Sequence, residues 1–234
     1  MVKYSDQMDI EALCCLTNSN LDFIGKTREF IIHVNKLTKI DKEKLEKMFS
    51  YYRVLKGFSE ASTVTFIRIQ NTITTRLLDG FLSFKNYKVL ELEDLIQCLS
   101  NRLHTIMKML YQSYSIKLWG YIWVKFTSFY AQLVISTSQS YKPNELTDLH
   151  EKIVKDIGII SECFDSSKND RKYEDGMKNL RAISGLYSGQ ITGFMGHLGY
   201  LKVQFGDDFN EQVITLILRM RNDFTKEMKN KVYQ

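Results

Sequence analysis

The chain contains one proline, Pro143, in 234 residues. Proline ends helices and marks loops, so its near absence points to long helices with short connections. Linker-like stretches rich in proline, serine or glycine are missing, and so is any tandem repeat. A single helical domain over residues 1–234 is therefore expected. Cysteine is also scarce: Cys14, Cys15, Cys98 and Cys163 show no CxxC spacing, and two of them are adjacent. That excludes the usual zinc and disulfide frameworks read from spacing. The opening residues MVKYSDQMDIEALCC hold no apolar stretch of signal-peptide length, so a reducing, cytoplasmic setting is expected. No fully apolar run approaches the ~20 residues of a membrane-spanning helix.

Motifs of site chemistry are equally sparse. His33, His104, His150 and His197 are scattered, and none has a histidine three or four residues away to form a metal pair. Gly25-Lys26-Thr27 matches the tail of a phosphate-binding loop, but Asn20 stands where its first glycine belongs and no strand leads in. Neither a metal nor a cofactor is expected. No local nucleophile–base arrangement is present, which leans the reading away from an enzyme. The composition, 44% hydrophobic and 25% charged, is that of a folded domain rather than a disordered one. A net charge of +5 is too modest to imply nucleic acid.

What is present reads as helix. Asn20 suits an N-cap, followed by Phe23, Ile24, Thr27, Phe30, Ile31, Val34 and Leu37 at helical spacing. Asp41 suits the next cap, with Gly57 as a stop and Ser59 as a further start. STVTFIRIQNTITT is rich in β-branched residues and partly alternating, so residues 59–76 could form a strand; with no partner strand in sight, helix is preferred. Residues 91–112 carry one apolar face, 116–140 are apolar nearly all round, and Pro143–Asn144 opens another helix. Residues 165–171 include the most polar loop and the best candidate for a mobile connection. A last helix is expected from Phe209 through Phe224. The expected fold is all-α, a bundle of about seven to nine helices around 91–112, 116–140 and 181–201.

Residues 185–201, GLYSGQITGFMGHLGYL, hold five of the twelve glycines. On a helix, Gly185, Gly189, Gly193, Gly196 and Gly199 fall within about one third of the circumference, and Tyr187, Ile191, Phe194, Leu198 and Leu201 fall opposite. Each interior glycine costs a helix about 1 kcal/mol against alanine. A buried helix whose glycine strip lets another backbone come close would offset that cost. Those five glycines are thus the expected sites of close helix packing, and His197 borders them.

One charge asymmetry suggests a surface. Between Asp94 and Glu145 there is no acidic residue, while Arg102, Lys108, Lys117, Lys125 and Lys142 lie there beside Trp119 and Trp123. Arg102, Lys108, Lys117, Trp119, Trp123 and Lys125 are the candidate binding residues, for an acidic protein partner or an anionic membrane surface. Nucleic acid is disfavoured because these aromatics lie on an apolar helix. LWGYIWVKF loosely resembles the Trp-Gly helix start of BH-domain apoptosis regulators, with LLDGFL upstream where a BH3-like segment would fall. The Asn and Arg flanking that Trp-Gly, the Gly-Asp pair and a second tryptophan motif are missing, so the family's properties are not carried over. The leading expectation is a non-catalytic helical interaction module, an adaptor, regulator or complex subunit. The alternatives are a membrane-active helical protein, with a hairpin of 116–140 and 181–201 assembling through its glycines into a homo-oligomer, and an enzyme whose site is buried in the bundle.

Overall fold

The computed structural model describes residues 10–37, 42–82, 90–137, 142–164, 171–188, 191–206 and 209–233. Among these the chain is all-α, with nine helices and no strand. They are α1 (Ile10–Leu37), α2 (Lys42–Leu82), α3 (Leu92–Met109), α4 (Gln112–Thr137), α5 (Leu146–Cys163), α6 (Arg171–Leu186), α7 (Ile191–Phe205), α8 (Glu211–Met220) and α9 (Lys226–Lys231). The expected all-α, multi-helix class and helix count hold.

Several boundaries differ from expectation. Asn20 is no cap; it lies buried inside α1, which starts at Ile10. Gly57 does not stop a helix, nor does Ser59 start one, because α2 runs unbroken through both. The β-branched stretch is helical too. Its threonines satisfy their hydroxyls within the helix: Thr63, Thr65 and Thr72 donate to the carbonyls of Ser59, Ala61 and Arg68 at 2.8–2.9 Å. An isolated strand would leave its backbone groups unpaired, so the helix wins despite the residues' β preference. Asp41 and residues 165–170 lie outside the described residues. Pro143 opens a short 3-10 turn, Pro143–Glu145, that feeds α5 as expected. The last expected helix is split: Asn210 caps α8 through the amides of Gln212 and Val213, and Arg221 ends it.

Contacts divide the chain into two compact units, Met1–Ile73 with Arg102–Leu118, and Thr74–Asn101 with Trp119–Gln234. In the first, Ile24 and Ile31 of α1 pack with Leu55 of α2, and Phe58 closes the cluster. Asn18 ties α1 to the α3–α4 turn. Its amide donates to the Met109 carbonyl at 2.6 Å and accepts from the Tyr111 amide at 3.2 Å, so one side chain serves both sides of the break. One helical turn on, Asp22 accepts from the Tyr111 hydroxyl. That hydrogen bond, with some loss of solvent and the carboxylate's charge, raises the phenol above its ordinary value.

The second unit is built around Phe164, just past α5. The rings of Trp119, Trp123 and Phe126 meet it at centroid distances of 4.7, 4.8 and 5.5 Å. Tyr173 of α6 stacks on Trp123 at 4.8 Å. Nearby in sequence, the buried Tyr130 hydroxyl donates to the buried Asp156 carboxylate at 3.1 Å. The α7 helix stops where Gly206 takes a positive φ of 52°.

Candidate functional site

The glycine-rich stretch is not one helix. α6 ends at Leu186, Tyr187 and Ser188 form a bend, and α7 begins at Ile191. The two-faced sorting survives within α7, where Phe194, Leu198 and Leu201 are buried. The packing assigned to the small face does not. Gly193, Gly196 and Gly199 are exposed, and a Cβ on any of them would meet nothing within 4 Å. Among the described glycines of this stretch only Gly185, still on α6, makes the expected close approach: a Cβ there would meet the His197 ring, whose Cγ would lie 2.8 Å away. Gly189 lies outside the described residues. The correction has a simple cause. Burying the bulky side of α7 removes far more apolar area from water than burying a strip with no side chains, so the bulky side takes the core. A Cβ at Gly193 therefore has no neighbour to strike. Gly193→Ala should raise stability by about 0.5–1 kcal/mol through helix propensity. Chemical denaturation checks this, and a loss of stability would mean that α7 is covered.

The candidate binding residues separate. Trp123 is fully buried, and Trp119 packs on Phe164 with its indole N–H out of solvent. Trp123 is therefore core and Trp119 half-buried, because the rings of this apolar helix fill the space around Phe164. The cations are different. Arg102, Lys108 and Lys117 are exposed in the first unit, with the Lys117 ammonium 5.2 Å from the Tyr114 ring centroid. Lys125 is half-buried in the second unit, 5.9 Å from the Tyr121 ring centroid.

Two features were missed in the sequence. The first is a seam on α1. Leu16, Phe23 and Phe30 follow one another at seven-residue steps and are 41%, 44% and 66% exposed. Ala12, Ser19, Lys26 and His33 form a second exposed row beside them at the same step. A seven-residue repeat keeps a stripe facing one helical neighbour over several turns. Phe23 is braced from behind by Phe58, with ring centroids 4.3 Å apart. The signal was present as periodicity, but i, i+3, i+4 counting from Asn20 merged Phe23 and Phe30 with the buried Ile24 and Ile31 and left Leu16 outside the helix. The second feature is a cleft of about 490 Å³ lined by Ser161 of α5 and by Tyr173, Glu174, Met177, Lys178 and Arg181 of α6. The hydroxyls of two lining residues, Ser161 and Tyr173, lie 3.0 Å apart. No local motif marks it, since its parts come from two helices on either side of the polar segment.

Among the described residues, no three His, Cys, Asp or Glu side chains gather as metal ligands would. The Cys163 thiol is pushed up by burial, partly opposed by a hydrogen bond with Ser100. No described helix is long and apolar enough to cross a membrane. The chain matches no known protein family, curated protein or solved structure.

Proposed function

We propose that this chain is a non-catalytic helical interaction module whose α1 seam receives an acidic amphipathic helix of a partner protein. The observation that carries this is the exposed row Leu16, Phe23 and Phe30 at seven-residue steps. An exposed apolar row with small or polar residues between its members is the anchor pattern by which one helix reads another. The surrounding charge favours an acidic partner. Lys26, Arg28, Arg53, Lys56 and Arg68 are exposed on α1 and α2 against Glu11, Asp22, Glu29 and Glu60, and Arg102, Lys108 and Lys117 give that unit its excess of positive charge. Such an excess speeds the approach of an acidic helix.

The test starts from affinity capture and mass spectrometry to identify the partner, followed by a synthetic peptide of its acidic amphipathic segment. Phe30→Glu should weaken peptide binding about tenfold or more, as loss of the most exposed apolar anchor of the row does. Its unfolding midpoint should stay that of the wild type because the ring is largely exposed. Affinity should also fall with added salt. Equal peptide binding by the variant overturns the reading. A monomer–dimer equilibrium, or binding to anionic vesicles, that the same substitution abolishes would replace it with self-association or a membrane surface.

A further inference from the structure

The cleft of about 490 Å³ between α5 and α6 falls within the size of small-molecule sites, about 300–1,000 Å³. Its lining is chemically ordered. Glu174, Met177, Lys178 and Arg181 stand at i, i+3, i+4 and i+7 on α6, so they form one face of that helix. Met177 is buried and gives an apolar floor, while Glu174, Lys178 and Arg181 are exposed. Tyr173 is only 6% exposed, and its ring is held by stacking on Trp123. Its hydroxyl is therefore a fixed point, 3.0 Å from the Ser161 hydroxyl and 3.5 Å from the Ser161 carbonyl oxygen. Two hydroxyls joined by one hydrogen bond have a second proton between them, which can turn to that carbonyl or to a ligand oxygen in the cleft. Lys178 reaches Asp175 only at 3.7 Å, with both side chains at least half exposed, so its ammonium is readily given up to a stronger anion.

We propose that this cleft binds a small phosphomonoester that also carries a hydrogen-bond donor. Lys178 and Arg181 hold the phosphate, with the arginine fork matched to two of its oxygens. The Ser161–Tyr173 pair donates to a third oxygen. The Glu174 carboxylate accepts from the ligand's own ammonium or hydroxyl, which is why a carboxylate stands among the cations. This site uses none of the α1 residues and stands independently of the helix-recognition reading.

The free probes are phosphoethanolamine, which carries both groups, and inorganic phosphate, which carries one. The lipid probe is phosphatidylcholine vesicles with and without phosphatidate. Tryptophan fluorescence reports binding, because Trp123 stacks on Tyr173. The expected result is a saturable change with phosphoethanolamine and a weaker one with phosphate. The double variant Lys178→Gln/Arg181→Gln should weaken both about tenfold or more, as loss of charge-assisted phosphate contacts does, with an unchanged unfolding midpoint. Glu174→Gln should narrow the gap between the two free probes. Binding to phosphatidate vesicles alone, lost in the double variant, also supports the site and makes a lipid headgroup the source of the phosphomonoester. The proposal is overturned if none of the probes gives a saturable change, or if the double variant binds as the wild type does.

Discussion

Arg221→Met should destabilise the protein by about 2–6 kcal/mol, since the buried Leu186 carbonyl and the part-buried Ser188 carbonyl would lose a charged donor at about 1–3 kcal/mol each. Arg221 is 1% exposed, and its guanidinium sits between three sets of partners. Nη1 donates to the carbonyls of Leu186 and Ser188 at 3.1 and 3.2 Å, where α6 ends. Nε and Nη2 form a two-point bond with the Asp223 carboxylate at 2.8 and 2.6 Å. The plane lies 3.9 Å from the Phe224 ring centroid. Arg221 therefore fastens the C-terminal end of α6 to the turn between α8 and α9. Methionine keeps the length and the apolar contact with Phe224, which isolates the polar loss. The Asp223 part is pH-dependent. The hydrogen bond from Arg221 holds its carboxyl below the ordinary value of 3.8, against the opposing effect of partial burial. A depressed carboxylate contributes stability above its unfolded value and loses it as pH falls through the folded one. The difference between wild type and Arg221→Met should therefore narrow in acid below that range. The Asp223 side chain is 48% exposed, so solvent screening keeps this share small. Urea unfolding at neutral and acid pH gives both numbers. A neutral-pH difference within half a kcal/mol, the size of an ordinary surface substitution, would refute the fastening role.

Gly176→Ala should lower stability by about 1–3 kcal/mol, the usual cost of overpacking, even though alanine is the better helix former by about 1 kcal/mol. A Cβ there would lie 2.7 Å from Cε2 and 2.8 Å from Cζ2 of Trp123, well inside van der Waals contact. The indole has nowhere to go. It is 1% exposed and held between Phe164 and Tyr173, each with a ring centroid 4.8 Å away. The near-ultraviolet circular dichroism of the tryptophans should change along with the unfolding midpoint. Trp123→Leu in the Gly176→Ala background should recover part of the cost, because the two substitutions act on one contact. If Gly176→Ala stabilises, as Gly193→Ala should, α6 and α4 are not in close contact at this point.

These two glycines show where reading the chain stops. Gly193 sits in a glycine-rich pattern that draws the eye, and it faces open space. Gly176 sits in the polar run RKYEDGMKNL, which has no such pattern, and it is the one pressed against the largest buried side chain. Helical periodicity says which residues share a face. It does not say whether a face without side chains meets a neighbour or water. Arg221 was equally hidden, because an arginine next to Asn222 and Asp223 has the composition of an exposed turn. Among the residues grouped by charge and aromatics, Arg102, Lys108 and Lys117 are exposed, Lys125 and Trp119 half-buried and Trp123 buried, a division that the grouping along the chain does not contain.

Sequence alone determined that the chain folds into many helices without a sheet, that the stretch around Trp119 and Trp123 is apolar enough to be buried, and that Phe194, Leu198 and Leu201 share one side of a helix. Those properties are local: scarcity of proline and hydrophobic period act through each residue's near neighbours. Only the tertiary structure decided that α6 and α7 break apart at Tyr187, that Gly176 and Gly185 but not Gly193 are closely approached, that Arg221 is buried, and that Ser161 meets Tyr173. Each depends on which helix lies opposite, and that is set by filling the available volume with side chains distant in the chain, a quantity no window along the sequence contains.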